Sequence, residues 1–270
     1  MRASALAVVL SAVLLPADAL PAGAQTTSVV EVESRGQQIR AILIVPERPV
    51  GSVVLLAGGH GRLDIAPEGR IGWGAGNQLV RTRRAYASAG YATLVPDIAP
   101  DMKTWDGGVV QGYRFNALHG RDIGALVARM RAIKAPVVLV GTSRGAVSAG
   151  VALAQAAGPT RPDGVALTAA MLMPAGDRQP NFQMAIGDAA RARLPFLVVG
   201  HRRDTCRYTL PESIDRFVAW HGGKVDVTLL DGPAGSGDPC EARAAHGFVD
   251  IDDQVVATVT GWIRERVPGR

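Results

Sequence analysis

Aromatic residues make up only 5% of the 270-residue chain. Nucleic-acid binders usually set aromatic platforms among their cations. Here the densest basic cluster, Arg81, Arg83 and Arg84, has no aromatic ring interleaved with it. The formal net charge of +5, carried by arginine, therefore reads as a solvated basic face, and no nucleic-acid partner is expected. Long apolar runs are equally scarce. The one at the N-terminus, Ala3 to Leu15, falls well short of the roughly 20 residues that span a bilayer, so stable membrane insertion is not expected. That run follows Arg2 and precedes Pro16 and the small-x-small triplet Ala22-Gly23-Ala24, the pattern of a signal peptide over residues 1–24. The expectation is a soluble protein that begins near Gln25 and is exported to the periplasm or the medium.

Cysteine is limited to Cys206 and Cys240. An even pair in a chain bound for an oxidising compartment predicts a disulfide. His201, Asp204 and Cys206 have the residue types of a metal site, but a disulfide-bonded Cys206 supplies no thiolate, and no metal or other cofactor is expected. Charged residues are 20% and hydrophobic residues 47% of the chain, which is neither a disordered nor a fibrous composition. Residues 25–270 suit one α/β domain, and no repeat or linker interrupts them.

The most informative stretch is Pro136 to Gly150, PVVLVGTSRGAVSAG. The apolar run Val137 to Val140 stops at Gly141-Thr142-Ser143-Arg144-Gly145 and passes into an Ala-rich segment, so it reads as strand, sharp turn and helix. This is G-x-S-x-G in the setting the motif requires. A serine at the apex of such a turn is backbone-strained, and a Cβ at either flanking glycine would meet a neighbouring strand or helix. Ser143 is the predicted nucleophile, with backbone N–H groups of the helix start directed at developing negative charge.

The rest of the chain alternates strand and helix. Val29 to Glu33 and Ile39 to Val45 read as an edge hairpin turning at Arg35-Gly36, and Ser52 to Ala57 as a buried parallel strand. That strand exits into Gly58-Gly59-His60-Gly61, a backbone nearly free of side chains that can approach a reacting carbonyl and offer it an N–H. A helix is predicted over Asn77 to Ala89, a strand over Tyr91 to Val95, and a long loop over Ile98 to Tyr113. The helix Asn116 to Ile133 leads to the nucleophile strand, and its His119 reads as a packing or surface residue. Strands at Gly164 to Leu172, Leu194 to Gly200 and Val225 to Leu230 follow, with helices at Pro211 to Trp220 and Ile251 to Arg266. Only about twenty residues, Pro174 to Arg193, are available for a cap, too few for a large one. The pattern predicts an α/β fold with a mostly parallel, doubly wound sheet.

A serine hydroxyl needs a base, and the base needs a carboxylate to fix its tautomer. Of five histidines, His246 follows the last strand and precedes the final helix, which makes it the predicted general base. Asp204 follows the preceding strand and gives the order Ser, Asp, His; Asp231 is the rival acid, and Asp97 fits the order less well. A Cys206–Cys240 bridge would tie the acid loop to the base loop, which favours Asp204.

Gly141 to Gly145, the Gly58 to Gly61 loop and His246-Gly247-Phe248 together resemble the α/β-hydrolase family, over essentially the whole mature chain. The resemblance implies acyl transfer, in which Ser143 forms an acyl-enzyme, Asp204 orients His246, and water releases the acid. It also implies an oxyanion hole built from the N–H of Arg144 and an N–H of the glycine-rich loop, from Gly59 or His60. The loop reads A-G-G-H-G rather than the common His-Gly-Gly or His-Gly-x. The Arg144 side chain either binds an anionic part of the substrate or lies on the helix surface. The expected function is a secreted serine hydrolase of small-molecule or polymer-borne carboxylic esters. A lactonase of the dienelactone-hydrolase kind and a non-catalytic binding protein on a hydrolase scaffold are the alternatives; a peptidase of the prolyl-oligopeptidase type lacks the gating domain it would need.

Overall fold

The computed structural model describes residues 24–176, 179–187, 194–222, 225–267 and 269. Of the expected signal peptide, all but Ala24 lies outside the described residues. Eight strands form one sheet: β1 (Gln25–Ser34), β2 (Gln37–Pro46), β3 (Gly51–Leu56), β4 (Tyr91–Pro96), β5 (Val137–Thr142), β6 (Gly164–Thr168), β7 (Phe196–His201) and β8 (Asp226–Leu230). Their order is β1-β2-β4-β3-β5-β6-β7-β8. β1 and β2 form the expected edge hairpin, and β2 is antiparallel to β4; every pairing from β4 through β8 is parallel. The hairpin turns at Arg35 and Gly36, both at positive φ, which suits the twist of the strands they join.

The helices lie on both faces. Side chains alternate along the central strands, and this period of two divides the core. On one side Val54, Leu56, Leu139 and Val165 meet α3 (Ala117–Arg131), α4 (Gly145–Gln155), α5 (Phe182–Ile186) and α6 (Glu212–His221). On the other, Val53, Leu55, Val138 and Val140 meet α1 (Gln78–Arg81), α2 (Arg83–Ser88) and α7 (Asp252–Arg266). Strands buried on both faces read as continuous apolar runs for this reason.

Three details depart from the sequence expectation. The single helix predicted over Asn77 to Ala89 is two short helices that meet at Thr82, whose hydroxyl donates to the Gln78 carbonyl. Arg81 does not lie on a solvated face. Its guanidinium donates to both carboxylate oxygens of Asp252, at 2.7 and 2.8 Å, and to the Gly247 carbonyl at 2.6 Å. It therefore ties α1 to α7 and to the loop that carries His246. The long loop over Ile98 to Tyr113 contains a turn of 3-10 helix, Pro100–Met102, and a second, Tyr113–Phe115, begins at its end. Between β6 and β7 the described residues hold only the five-residue α5, consistent with the absence of a large cap.

Candidate active site

Parallel α/β sheets present their ligand sites at the carboxyl ends of the strands, where connections leave in opposite directions. β3 and β5 are neighbours here, and their exits are the Gly58 to Gly61 loop and the Ser143 turn. Ser143 has φ of 51°, the left-handed conformation rarely adopted by residues with a Cβ. Its backbone is held from both sides: its N–H donates to Thr168 O at 3.1 Å, and its carbonyl accepts from Ala146 N–H at 3.1 Å. The flanking glycines are required for close approach. A Cβ on Gly145 would lie 2.0 Å from the Leu56 carbonyl oxygen on β3, and one on Gly141 would lie 2.8 Å from the Gly145 oxygen.

His246 and Asp204 are both buried, and the structure brings them together. His246 Nδ1 lies 3.2 Å from Asp204 Oδ2. Thr209 completes the arrangement, with its hydroxyl 2.8 Å from Asp204 Oδ2 and 2.9 Å from His246 Nδ1. A carboxylate accepts only, and a hydroxyl has one proton. The consistent assignment is that Thr209 donates to Asp204 while His246 Nδ1–H donates to both the hydroxyl and the carboxylate. That tautomer leaves Nε2 unprotonated and able to accept a proton. The other oxygen of Asp204 accepts from Cys206 N–H at 2.9 Å.

The rival acids are engaged elsewhere. Asp231 pairs with Arg203 at 3.1 Å on the surface. Asp97 is buried, accepts from the N–H groups of Leu63, Ile65 and Ile98, and pairs with Lys103 at 2.7 Å. It therefore anchors the segment that follows the glycine-rich loop. Cys206 and Cys240 are joined in a disulfide with Cα atoms 4.6 Å apart, so Cys206 has no thiolate to offer a metal.

Ser143 and His246 line one cleft of about 410 Å³, together with Gly59, Trp73, Arg144 and Tyr208. The disulfide forms part of its wall. Two loops flank the site, Arg62 to Gly76 and Ile98 to Tyr113, and the first contributes Trp73, Gly74 and Gly76 to this cleft. The second contributes Val109 and Val110 to a neighbouring cavity of about 450 Å³, shared with Gly59, His60, Arg114 and Arg144. Trp105, in the middle of that second loop, is fully exposed.

Gly59, His60 and Arg144 carry N–H groups that donate in no hydrogen bond among the described residues. The Arg144 side chain is exposed and forms no ion pair among them. The His60 ring stacks on Trp73, with centroids 3.6 Å apart, and its Nδ1 accepts from Arg62 N–H. Burial, reinforced by the nearby Arg114, Arg62 and Arg144 cations, pushes its pKa below the usual value. The shift favours the neutral form of the His60 ring, which packs on Trp73 and borders the neighbouring cavity. Sequence reasoning missed Thr209, which lies five residues beyond Asp204 in an irregular loop, and also the inward-facing Arg81.

No family model matches the chain, and no curated protein matches it in sequence. Solved structures do match it in shape. An α/β serine hydrolase without a lid from Xanthomonas campestris superposes with a TM-score of 0.60 at 14% identity, covering 90% of this chain and 96% of that one. A dienelactone hydrolase from Anabaena variabilis gives 0.60 at 17% identity, covering 90% and 99%. An esterase from Pyrococcus furiosus gives 0.59 at 12% identity, covering 90% and 93%. The sheet order, the strained serine turn after β5 and these superpositions agree: the chain has the α/β-hydrolase fold.

Proposed function

We propose that this chain is a serine hydrolase of carboxylic esters, exported after removal of residues 1–24 and working as a single domain over residues 25–270. Ser143 Oγ attacks the ester carbonyl, and His246 Nε2 takes its proton. Asp204 and Thr209 hold the imidazole in the Nδ1–H tautomer, and Asp204 stabilises the imidazolium that forms. The N–H of Arg144 and that of Gly59 or His60 receive the tetrahedral oxyanion. His246 then protonates the leaving alcohol, and a water activated in the same way releases the acid from Ser143.

The observation that carries this reading is the Asp204–Thr209–His246 hydrogen-bond set, which opens on the cleft that Ser143 also lines. The esterases and serine hydrolases among the structural matches support it as analogy of fold. The disulfide and the N-terminal sequence support export. The test is hydrolysis of short-chain p-nitrophenyl esters by wild type and by Ser143→Ala. Turnover by wild type that falls to the buffer rate in a folded Ser143→Ala protein is the expected result. Equal rates in the two proteins would refute the assignment.

A further inference from the structure

Arg114 is buried, yet no carboxylate pairs with it among the described residues. A buried charge without a counter-ion is costly, and an apolar side chain of similar volume would pack more cheaply. Its guanidinium is directed at backbone. One terminal nitrogen donates to the Ala57 carbonyl at 2.7 Å and to the Gly58 and Gly59 carbonyls at 3.3 Å each. The other donates to Ser148 Oγ at 2.5 Å, on the helix that Ser143 precedes. Ser148 Oγ is in turn 2.9 Å from His119 Nε2. The preceding residue continues the pattern, because the Tyr113 hydroxyl donates to the next carbonyl, that of His60.

Four successive carbonyls, Ala57 to His60, are therefore held by two adjacent side chains, Tyr113 and Arg114. In a trans peptide the carbonyl of one residue and the N–H of the next point in opposite directions. Fixing the Gly58 oxygen toward Arg114 directs the Gly59 N–H away from it, and fixing the Gly59 oxygen does the same for His60. These are the two candidate donors in the loop. The loop lies directly against the nucleophile, since a Cβ on Gly58 would be 3.1 Å from Ser143 Cβ. A segment with glycine at three of four positions has many backbone conformers and no side chains to select among them. The clamp also has space reserved for it: a Cβ on Gly61 would lie 2.3 Å from the Arg114 guanidinium and 2.7 Å from the Tyr113 hydroxyl.

We propose that Arg114, assisted by Tyr113, is the positioning residue of the oxyanion hole, holding the Gly59 and His60 N–H groups in the orientation that receives the tetrahedral intermediate; this rests on the serine-hydrolase reading above. Arg114 touches no reacting atom. It acts through the peptide planes it orients, and its charge polarises them so that their N–H groups donate more strongly. By linking the same planes to Ser148, it also sets the spacing between the loop and the nucleophile helix.

The experiment compares wild type, Arg114→Lys and Tyr113→Phe for kcat, KM, the pH profile and inhibition by a phenylboronic acid, which forms a tetrahedral adduct on an activated serine. Lysine keeps the charge but cannot fork to several carbonyls. Arg114→Lys is expected to lower kcat by about 100-fold, the scale of losing one oxyanion donor. KM should change by no more than about threefold, the boronate affinity should fall in parallel with kcat/KM, and the pH profile should stay in place because His246 and Asp204 are untouched. Tyr113→Phe should show the same split at about one tenth of the size. A folded Arg114→Lys protein with wild-type kcat and boronate affinity would overturn the inference. Should that variant fail to fold, Tyr113→Phe decides, and wild-type kcat and boronate affinity there would overturn it equally. A wild-type protein that turns over no ester and binds no boronate would remove the hydrolase reading itself, and the inference with it.

Discussion

Replacing both cysteines with alanine perturbs the fold and the candidate site at once. The bridge joins residues separated by 34 positions. The chain-entropy relation for a loop of that length gives about 3.8 kcal/mol of stabilisation at 25 °C, supplied by restricting the unfolded chain. For a domain of this size each kcal/mol moves the melting temperature by about 2–4 °C, so Cys206→Ala/Cys240→Ala should melt about 8–15 °C lower. A functional effect accompanies the thermal one. Cys206 N–H donates to Asp204 Oδ1, and Cys240 stands on the wall of the cleft shared by Ser143 and His246. Freeing that loop loosens Asp204 relative to His246, and under the proposed mechanism a misplacement on the order of 1 Å costs up to about 100-fold in rate. The double variant should therefore lose about tenfold or more in ester turnover at 20 °C, where it is still folded. The assay is a circular-dichroism melt together with initial rates on one ester, for wild type, the double variant and wild type treated with reductant. A melting temperature within 2 °C of wild type with an unchanged rate would refute both parts of the reasoning.

Two other perturbations isolate single groups. Thr209→Val keeps the shape of the side chain but removes the hydroxyl between Asp204 and His246. It should cost about 1.5 kcal/mol in the transition state, read as about a tenfold loss of kcat with little change in KM; an unchanged kcat would show that the Asp204–His246 contact suffices without it. His119 is buried beside Ser148, and burial, aided by the Arg114 and Arg35 cations, pushes its pKa down to about 3 from an ordinary 6.5. The folded protein thus takes up this proton later than the unfolded chain does. The stability tied to the neutral ring is fully present above pH 6.5 and is lost as pH falls from 6.5 toward 3, with a slope of up to about 1.4 kcal/mol per pH unit. Urea unfolding at a series of pH values should show a shallower decline across that window for His119→Phe than for wild type, and equal slopes would contradict the assignment.

The sheet was legible because its central strands are buried on both faces, so that Ser52 to Ala57 and Val137 to Val140 appear as unbroken apolar runs ending in glycine. The turn at Ser143 was legible for a related reason. The glycines at 141 and 145 answer local steric demands, and such demands leave a short, contiguous signature. Asp204 could be preferred to Asp231 and Asp97 through chain order and the cysteines, and the structure shows those two paired with Arg203 and Lys103. What escaped depends on residues distant in the chain or on irregular backbone. Arg81 looked like part of an exposed basic helix because its partner Asp252 lies 171 positions away. Thr209 and Arg114 lie in or beside loops without periodicity, where no spacing indicates which way a side chain turns. The break at Thr82 is invisible to a pattern that reads one amphipathic helix through it.

The central claim is that Ser143 is an activated nucleophile, and intact-protein mass spectrometry after treatment with a fluorophosphonate tests it most directly. The account predicts one adduct on wild type, mapped by peptide analysis to Ser143, none on Ser143→Ala, and slowed labelling on His246→Ala. A folded wild-type protein that takes up no adduct, or one whose adduct maps to another serine, would contradict it.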